Sequence, residues 1–234
     1  MLYIVSTPIG NLQDITLRAL ETLRNVDFVV CEDTRVTSFL LHHFEIKKEL
    51  VSMNAFSEKN KLNFIADRIE SGSSCALVSD AGTPGISDPG VRLISELIKR
   101  NINVIPIPGV SAAITALSIA GLPTDSFVFE GFLPQKKGRQ KKLQNLLTED
   151  RTIILYESTY RIKKLLDELT NYTPERLIVV CRELTKKFEE IVRGFPQEIH
   201  LYFEKKEPKG EFVVIISPIS WKHDSVNSHL HIEQ

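Results

Sequence analysis

The sequence predicts an α/β protein built in two domains. Short β-branched runs alternate with amphipathic helical stretches, the pattern of a sheet flanked by helices. A helical segment stops at Gly121, with Pro123 just beyond, so a first domain spans residues 1–121 and a second spans 122–218. The 234 residues suffice for two modest domains, and at this size most of the unfolded surface is buried on folding.

Strands are expected at Leu2–Ser6, Asp27–Cys31, Glu49–Met53, Cys75–Ser79 and Asn103–Ile107. Helix Ile15–Arg24 aligns Leu17, Leu20 and Leu23, and helix Leu62–Ile69 aligns Ile65 and Ile69. The segment from Pro89 reads as a helix with proline in its first turn and Asp88 as its N-cap. Helix Ser111–Ala120 closes the first half. The second half reads as strand Ser126–Gly131, helix Arg139–Leu147, strand Thr152–Tyr156 and helix Tyr160–Leu169. Strand Arg176–Cys181, a hairpin-like Glu189–Arg193 and strand Glu211–Ser217 follow. The tail, residues 219–234, is polar and is expected to be loosely ordered.

Bulk properties narrow the class. Hydrophobic and charged fractions of 42% and 25% are those of a globular protein. A formal net charge of −1 gives no global attraction for a polyanion, so a nucleic-acid partner must meet a local basic patch. Cys31, Cys75 and Cys181 form no CxxC pair and border apolar runs, as buried, reduced thiols of a cytoplasmic protein do. The N-terminus lacks a signal-peptide pattern. The charge-free stretch Asn101–Thr124 is broken by Pro106, Pro108 and Gly109 and is not a membrane span. No metal-ligand spacing stands out among the histidines, which include His42 and His43 on a helix and His223, His229 and His231 in the tail.

Three loops follow strands on one side of the first domain, where open α/β sheets bind ligands. Ser79–Gly90 carries three glycines and two prolines over twelve residues, longer than most strand-to-helix connections. Such a loop is rigid and lets a flat ligand approach the backbone, and Asp80 can accept hydrogen bonds from an amine or ribose. Ser6–Asn11 reads equally as a tight turn or as part of a site; Pro8 has no N–H to give a pyrophosphate. Pro106–Ala112 places Ser111 as a helix cap on the same edge. Glu32-Asp-Thr-Arg35 ends another strand, with Asp33 or Thr34 as a cap or a substrate contact. Glu157-Ser-Thr-Tyr-Arg161 has Ser158 or Thr159 as caps. The run Lys136-Lys-Gly-Arg-Gln-Lys-Lys142 puts five positive charges in seven residues, suited to phosphate contact or to a solvated loop; Lys186, Lys187, Lys205, Lys206 and Lys209 extend it.

Together these segments resemble the ribosomal RNA small subunit methyltransferase I family, a branch of the tetrapyrrole methylase fold. The resemblance runs from Leu2 to about Ser217. Its segments are TPIGNLQDIT (7–16), CEDTR (31–35), LVSDAGTPGISDPG (77–90), PGVSAAITAL (108–117), FEGFLPQKKGR (129–139), YESTYR (156–161), CRELTKKFEEIVRG (181–194) and KGEFVVII (209–216). Departures are Ser6, where some members have proline, the Gly85-Ile-Ser stretch, and a short tail where some relatives carry a further helical region.

The resemblance implies two α/β domains, each a mixed or mostly parallel sheet flanked by helices, with S-adenosyl-L-methionine in the cleft between them, in a homodimer. It implies methylation of the ribose 2′-hydroxyl of a cytidine in the decoding region of 16S rRNA, within the small ribosomal subunit. Carried onto this chain, the cofactor contacts are Pro8, Ile9, Gly10, Asp80, Gly82, Thr83, Ser111, Ala112, Tyr156, Glu211, Phe212 and Val213. Asp33 and Glu157 are the candidate bases. Arg35, Lys136, Lys137, Arg139, Lys141 and Lys142 are the candidate RNA contacts. Rival readings keep the fold with a tetrapyrrole or translation-factor side chain as acceptor, or make the chain a non-catalytic rRNA-binding assembly factor.

Overall fold

The computed structural model describes residues 1–53, 58–206, 208–221 and 231–233. The chain divides into two compact units, Met1–Ser111 and Ala112–Gln234.

The first unit holds β1 (Leu2–Val5), α1 (Leu17–Asn25), β2 (Phe28–Cys31), α2 (Thr34–His43), β3 (Glu49–Ser52), α3 (Glu58–Glu70), β4 (Cys75–Leu77), α4 (Val91–Lys99) and β5 (Val104–Ile107). Its sheet runs β3-β2-β4-β1-β5, all parallel. Residues buried on both faces make such strands continuous apolar runs, as in the Phe28–Cys31 strand. The connections out of β1 and β2 run toward β3. They set Leu20, Leu23 and Leu41 on one face with Val29 and Cys31. Those out of β3 and β4 run back toward β5 and set Ile65, Ile69, Leu93 and Leu97 on the other, with Phe28 and Val30. Right-handed crossovers demand this switch of face when the direction reverses.

The second unit holds α5 (Ala112–Ile119), β6 (Phe127–Phe132), α6 (Arg139–Leu146), β7 (Thr152–Ser158), α7 (Ile162–Tyr172), β8 (Ile178–Arg182), β9 (Glu190–Gly194), α8 (Pro196–Glu204), β10 (Glu211–Ile216) and β11 (His231–Glu233). Its sheet runs β11-β9-β8-β10-β7-β6; β6 and β7 are parallel and the other pairs antiparallel. Leucines of α6 and α7 with Ile199 and Phe203 of α8 cover one face. Helix α5, expected ahead of a boundary at 121, falls in this unit because it packs on β7 and β10. No described helix is long and apolar enough to cross a membrane.

Local details differ where tertiary contacts override local signals. Helix α1 is capped by Thr16, whose hydroxyl accepts from Ala19 N–H at 3.1 Å, while Asp14 ends a short 3-10 turn. Leu17 is 86% exposed rather than in the core stripe. Helix α4 starts at Val91 after Gly90, not at Pro89, and Asp88 does not cap it. Gly90 has φ of 125°, and a Cβ there would lie 2.7 Å from the Leu77 side chain, so glycine sets the start. Helix α7 starts at Ile162; the Thr159 hydroxyl instead bonds the Gly210 backbone, donating to O and accepting from N–H at 2.7 Å each. Helix α8 is an element that the periodicity of the sequence does not predict. Pro196 occupies its first turn and Glu198 accepts from the Phe195 N–H at 3.0 Å. In the tail, His231–Glu233 pairs antiparallel with β9, whereas 222–230, with His223 and His229, lies outside the described residues.

Candidate active site

Parallel pairing brings the carboxyl ends of β1, β2, β4 and β5 to one edge of the first sheet. The loops after β1, β4 and β5 are stitched together there. Thr7 and Gly82 exchange backbone hydrogen bonds of 2.9 and 3.1 Å. The Thr7 hydroxyl donates to Ser79 O at 3.1 Å. Thr83 donates its hydroxyl to Val110 O at 3.1 Å, and its oxygen meets the Ser6 hydroxyl at 2.9 Å. Gly109 lies so close to Ser6 that a Cβ would sit 2.8 Å from the serine Cβ. The turn at Thr7–Asn11 is thereby fused to Ser79–Gly90, with Pro8 and Ile9 buried and Gly10 exposed. Ser111 directly precedes helix α5.

The same edge is acidic. Asp33 donates its N–H to Asp80 Oδ1 at 3.1 Å, joining the β2 and β4 loops. Asp33 is the N-cap of α2: its Oδ1 accepts from Arg35 N–H at 2.8 Å, and the guanidinium closes on both carboxylate oxygens. Those hydrogen bonds hold the Asp33 pKa down to about 2, which makes it a weak base. Glu32 and Asp80 behave oppositely. Burial raises the Glu32 pKa, helped by the charges of Asp80 and Asp33. Burial likewise raises Asp80, against the bond from the Asp33 N–H. Glu32 directly follows the fully buried strand β2, which places its carboxylate at this edge.

In the second unit Ala112 opens α5, and the next residue, Ala113, donates its N–H to the Tyr156 hydroxyl at 3.1 Å. Val213 pairs with Tyr156 across β10 and β7. Phe212 turns into the core against Phe203, with ring centroids 6.0 Å apart, so only its backbone can meet a ligand. Glu211 is exposed and pairs with Lys186 at 2.8 Å.

Two expected site residues are structural. Glu157, expected as a base, has a fully buried side chain paired with Arg161 at 2.8 Å and Arg139 at 3.3 Å. Arg139, expected as an RNA contact, is 2% exposed and also meets Glu168 at 2.9 Å. Burial pulls the Arg139 pKa down, and the two carboxylates more than offset it. Opposed charges removed from water must be paired, and this cluster pairs them. Lys136, Lys137, Lys141 and Lys142 are exposed, with Lys142 paired to Glu130 at 2.9 Å. Arg35 keeps a side chain 89% exposed while holding Asp33. Cys31, Cys75 and Cys181 are buried free thiols; burial pushes the last two up to about 12.

Residues 1–200 match the family of Tetrapyrrole (Corrin/Porphyrin) Methylases. The chain is 48% identical to ribosomal RNA small subunit methyltransferase I of Synechocystis over 93% of its own length and 78% of that protein's. It is 44% identical to the protein of the same name from Thermotoga maritima, over 92% of this chain and 97% of that one. A solved cobalt precorrin-4 methyltransferase superposes with TM-score 0.71 at 21% identity, over 92% of this chain and 94% of its own. Uroporphyrin-III C-methyltransferase of Thermus thermophilus, solved with S-adenyl homocysteine, gives 0.66 at 17%, over 92% and 96%. These two likenesses show the fold. The chain belongs to the tetrapyrrole methylases and, within them, to the ribosomal RNA small subunit methyltransferase I family.

Proposed function

We propose that this protein uses S-adenosylmethionine to methylate small-subunit rRNA, at the ribose 2′-hydroxyl of a cytidine in the decoding region. It does so as a homodimer in the cytoplasm, on the small ribosomal subunit. The observation that carries the reading is the 44–48% identity to the rRNA methyltransferases across nine-tenths of the chain.

The residues of the first unit suit a cationic methyl donor. Glu32 and Asp80 are carboxylates at this edge whose pKa values burial raises, and acidic groups there suit a cationic ligand. Pro8, Ile9, Gly10, Asp80, Gly82, Thr83 and Ser111 hold the donor there. In the second unit Ala112, Tyr156, Val213 and the backbone of Glu211 and Phe212 take part. When bound, the donor would supply a methyl group on a positively charged sulfur as the electrophile for the ribose oxygen. Glu32 takes the ribose proton, because a carboxylate with a raised pKa is a better base than Asp33. Arg35, Lys136, Lys137, Lys141 and Lys142 meet phosphates.

Calorimetric titration with S-adenosylmethionine, followed by transfer of a labelled methyl group to small subunits lacking the modification, tests the reading. Uptake of donor and label in RNA support it. Label entering a tetrapyrrole or a protein instead, or no uptake of donor, overturns it.

A further inference from the structure

The end of β6 carries an irregularity that re-aims an aromatic side chain. Pairing with β7 passes from Phe129–Ile154 directly to Gly131–Leu155 and Phe132–Tyr156, leaving Glu130 as an extra residue. Residues three apart on a regular strand point to opposite faces. The bulge, with Gly131 at φ of 70°, puts Phe129 and Phe132 on the same face. Both rings then meet Tyr156 edge-on, with centroids 5.0 and 5.6 Å away. Phe132 nevertheless remains 50% exposed.

Charge holds this ring in place. The Arg161 guanidinium lies 5.7 Å from the Phe132 centroid, donates to the Leu133 carbonyl at 3.0 Å and pairs with buried Glu157. Glu157 in turn is held by Arg139, which Glu168 anchors. The extra residue Glu130 pairs with Lys142 of α6. Four and five residues beyond the ring stand the exposed Lys136 and Lys137. A rigid, half-exposed aromatic beside cations is how proteins stack an unpaired base while holding its phosphates.

We propose that Phe132 is a stacking platform for an unpaired nucleobase of the RNA substrate, with Tyr156 and Arg161 fixing the ring and Lys136 and Lys137 holding the neighbouring phosphates. This rests on the rRNA-methylation reading above. An RNA base is favoured as occupant because the Arg161 guanidinium lies beside the ring and the exposed Lys136 and Lys137 follow it in the chain, cations that match a polyanion.

The experiment compares wild type with Phe132→Leu and Phe132→Trp, using small subunits lacking the modification and labelled S-adenosylmethionine. Calorimetry of donor binding and sedimentation run alongside. The expected result is a fall of about ten-fold or more in kcat/KM for the subunit in Phe132→Leu. Donor affinity and oligomeric state stay unchanged, and Phe132→Trp restores most of the loss. Wild-type kinetics in Phe132→Leu overturn the platform while leaving the methylation reading standing. Weakened donor binding assigns the ring to the donor, and a changed oligomeric state assigns it to a second copy; either overturns the proposal. Absence of transfer by wild type overturns the methylation reading and the platform with it.

Discussion

Thr7 and Gly82 exchange both backbone hydrogen bonds, at 2.9 and 3.1 Å, which tie the loop after β1 to the loop after β4. Gly82 adopts φ of 82° in that pair, a conformation costing other residues roughly 1–2 kcal/mol. Gly82→Ala leaves room for the methyl, 3.5 Å from Ile9 Cγ2, so its effect comes through backbone strain. The expected outcome is S-adenosylmethionine affinity lowered about ten-fold by calorimetry, a size equal to roughly 1.4 kcal/mol. Unchanged affinity would separate this loop pair from the donor.

Glu32 and Asp33 are neighbours whose pKa values shift in opposite directions, Glu32 up by burial and Asp33 down by its hydrogen bonds from Arg35. Glu32→Gln should cut methyl transfer about 100-fold or more, the range of a lost proton acceptor. Asp33→Asn keeps a capping oxygen for α2 and should retain most turnover. The reverse ranking in single-turnover assays would exchange their roles.

Stability against pH separates the same carboxylates. The Asp33 pKa is lowered to about 2, so its contribution is present above the ordinary 3.8 and is lost as pH falls through about 2. The Glu32 pKa is raised, so its favourable contribution is fully present below the ordinary 4.5 and is lost as pH rises through the raised value. Glu32→Gln should therefore unfold at a slightly higher temperature than wild type at pH 7, with the gap closing below about pH 4. A lower midpoint at pH 7 contradicts this sign.

Arg139 and Lys137 stand two residues apart in one basic run and should fail differently. Arg139→Met leaves Glu157 and Glu168 buried without their shared partner, at a cost of about 3–5 kcal/mol read by denaturant unfolding. Lys136→Ala/Lys137→Ala should leave stability intact and weaken subunit binding. The salt dependence of binding should fall by about one unit of slope per lysine. A stability loss in the lysine variant would place these side chains in the fold.

Gly210 is fixed by close approach. It has φ of 111°, and a Cβ would lie 2.5 Å from Glu183 Cγ and Cδ. Gly210→Ala should disturb the Thr159–Gly210 bonds and the start of β10, lowering the thermal midpoint by several degrees. An unaltered midpoint would show that Glu183 yields freely.

What could be read from the chain followed periodicity and loop composition. The parallel strands of the first unit are uninterrupted apolar runs, and Ser79–Gly90 announces itself by its glycines and prolines. Burial of charge was not readable: Arg139 sits among lysines, and only the fold turns it toward Glu157 and Glu168. Asp33 and Glu32 look equivalent in sequence until Arg35 closes on one of them. Phe132 depends on a bulge that a lone Gly131 hardly signals. Helix α8 carries its sequence signal in Pro196 and Glu198 of its first turn.

The measurement that bears most directly on the function is the position of the label after incubation with radioactive S-adenosylmethionine and small subunits lacking the modification. Label on the ribose 2′-oxygen of a decoding-region cytidine is the predicted result. Label on a base, on protein or on a tetrapyrrole contradicts it.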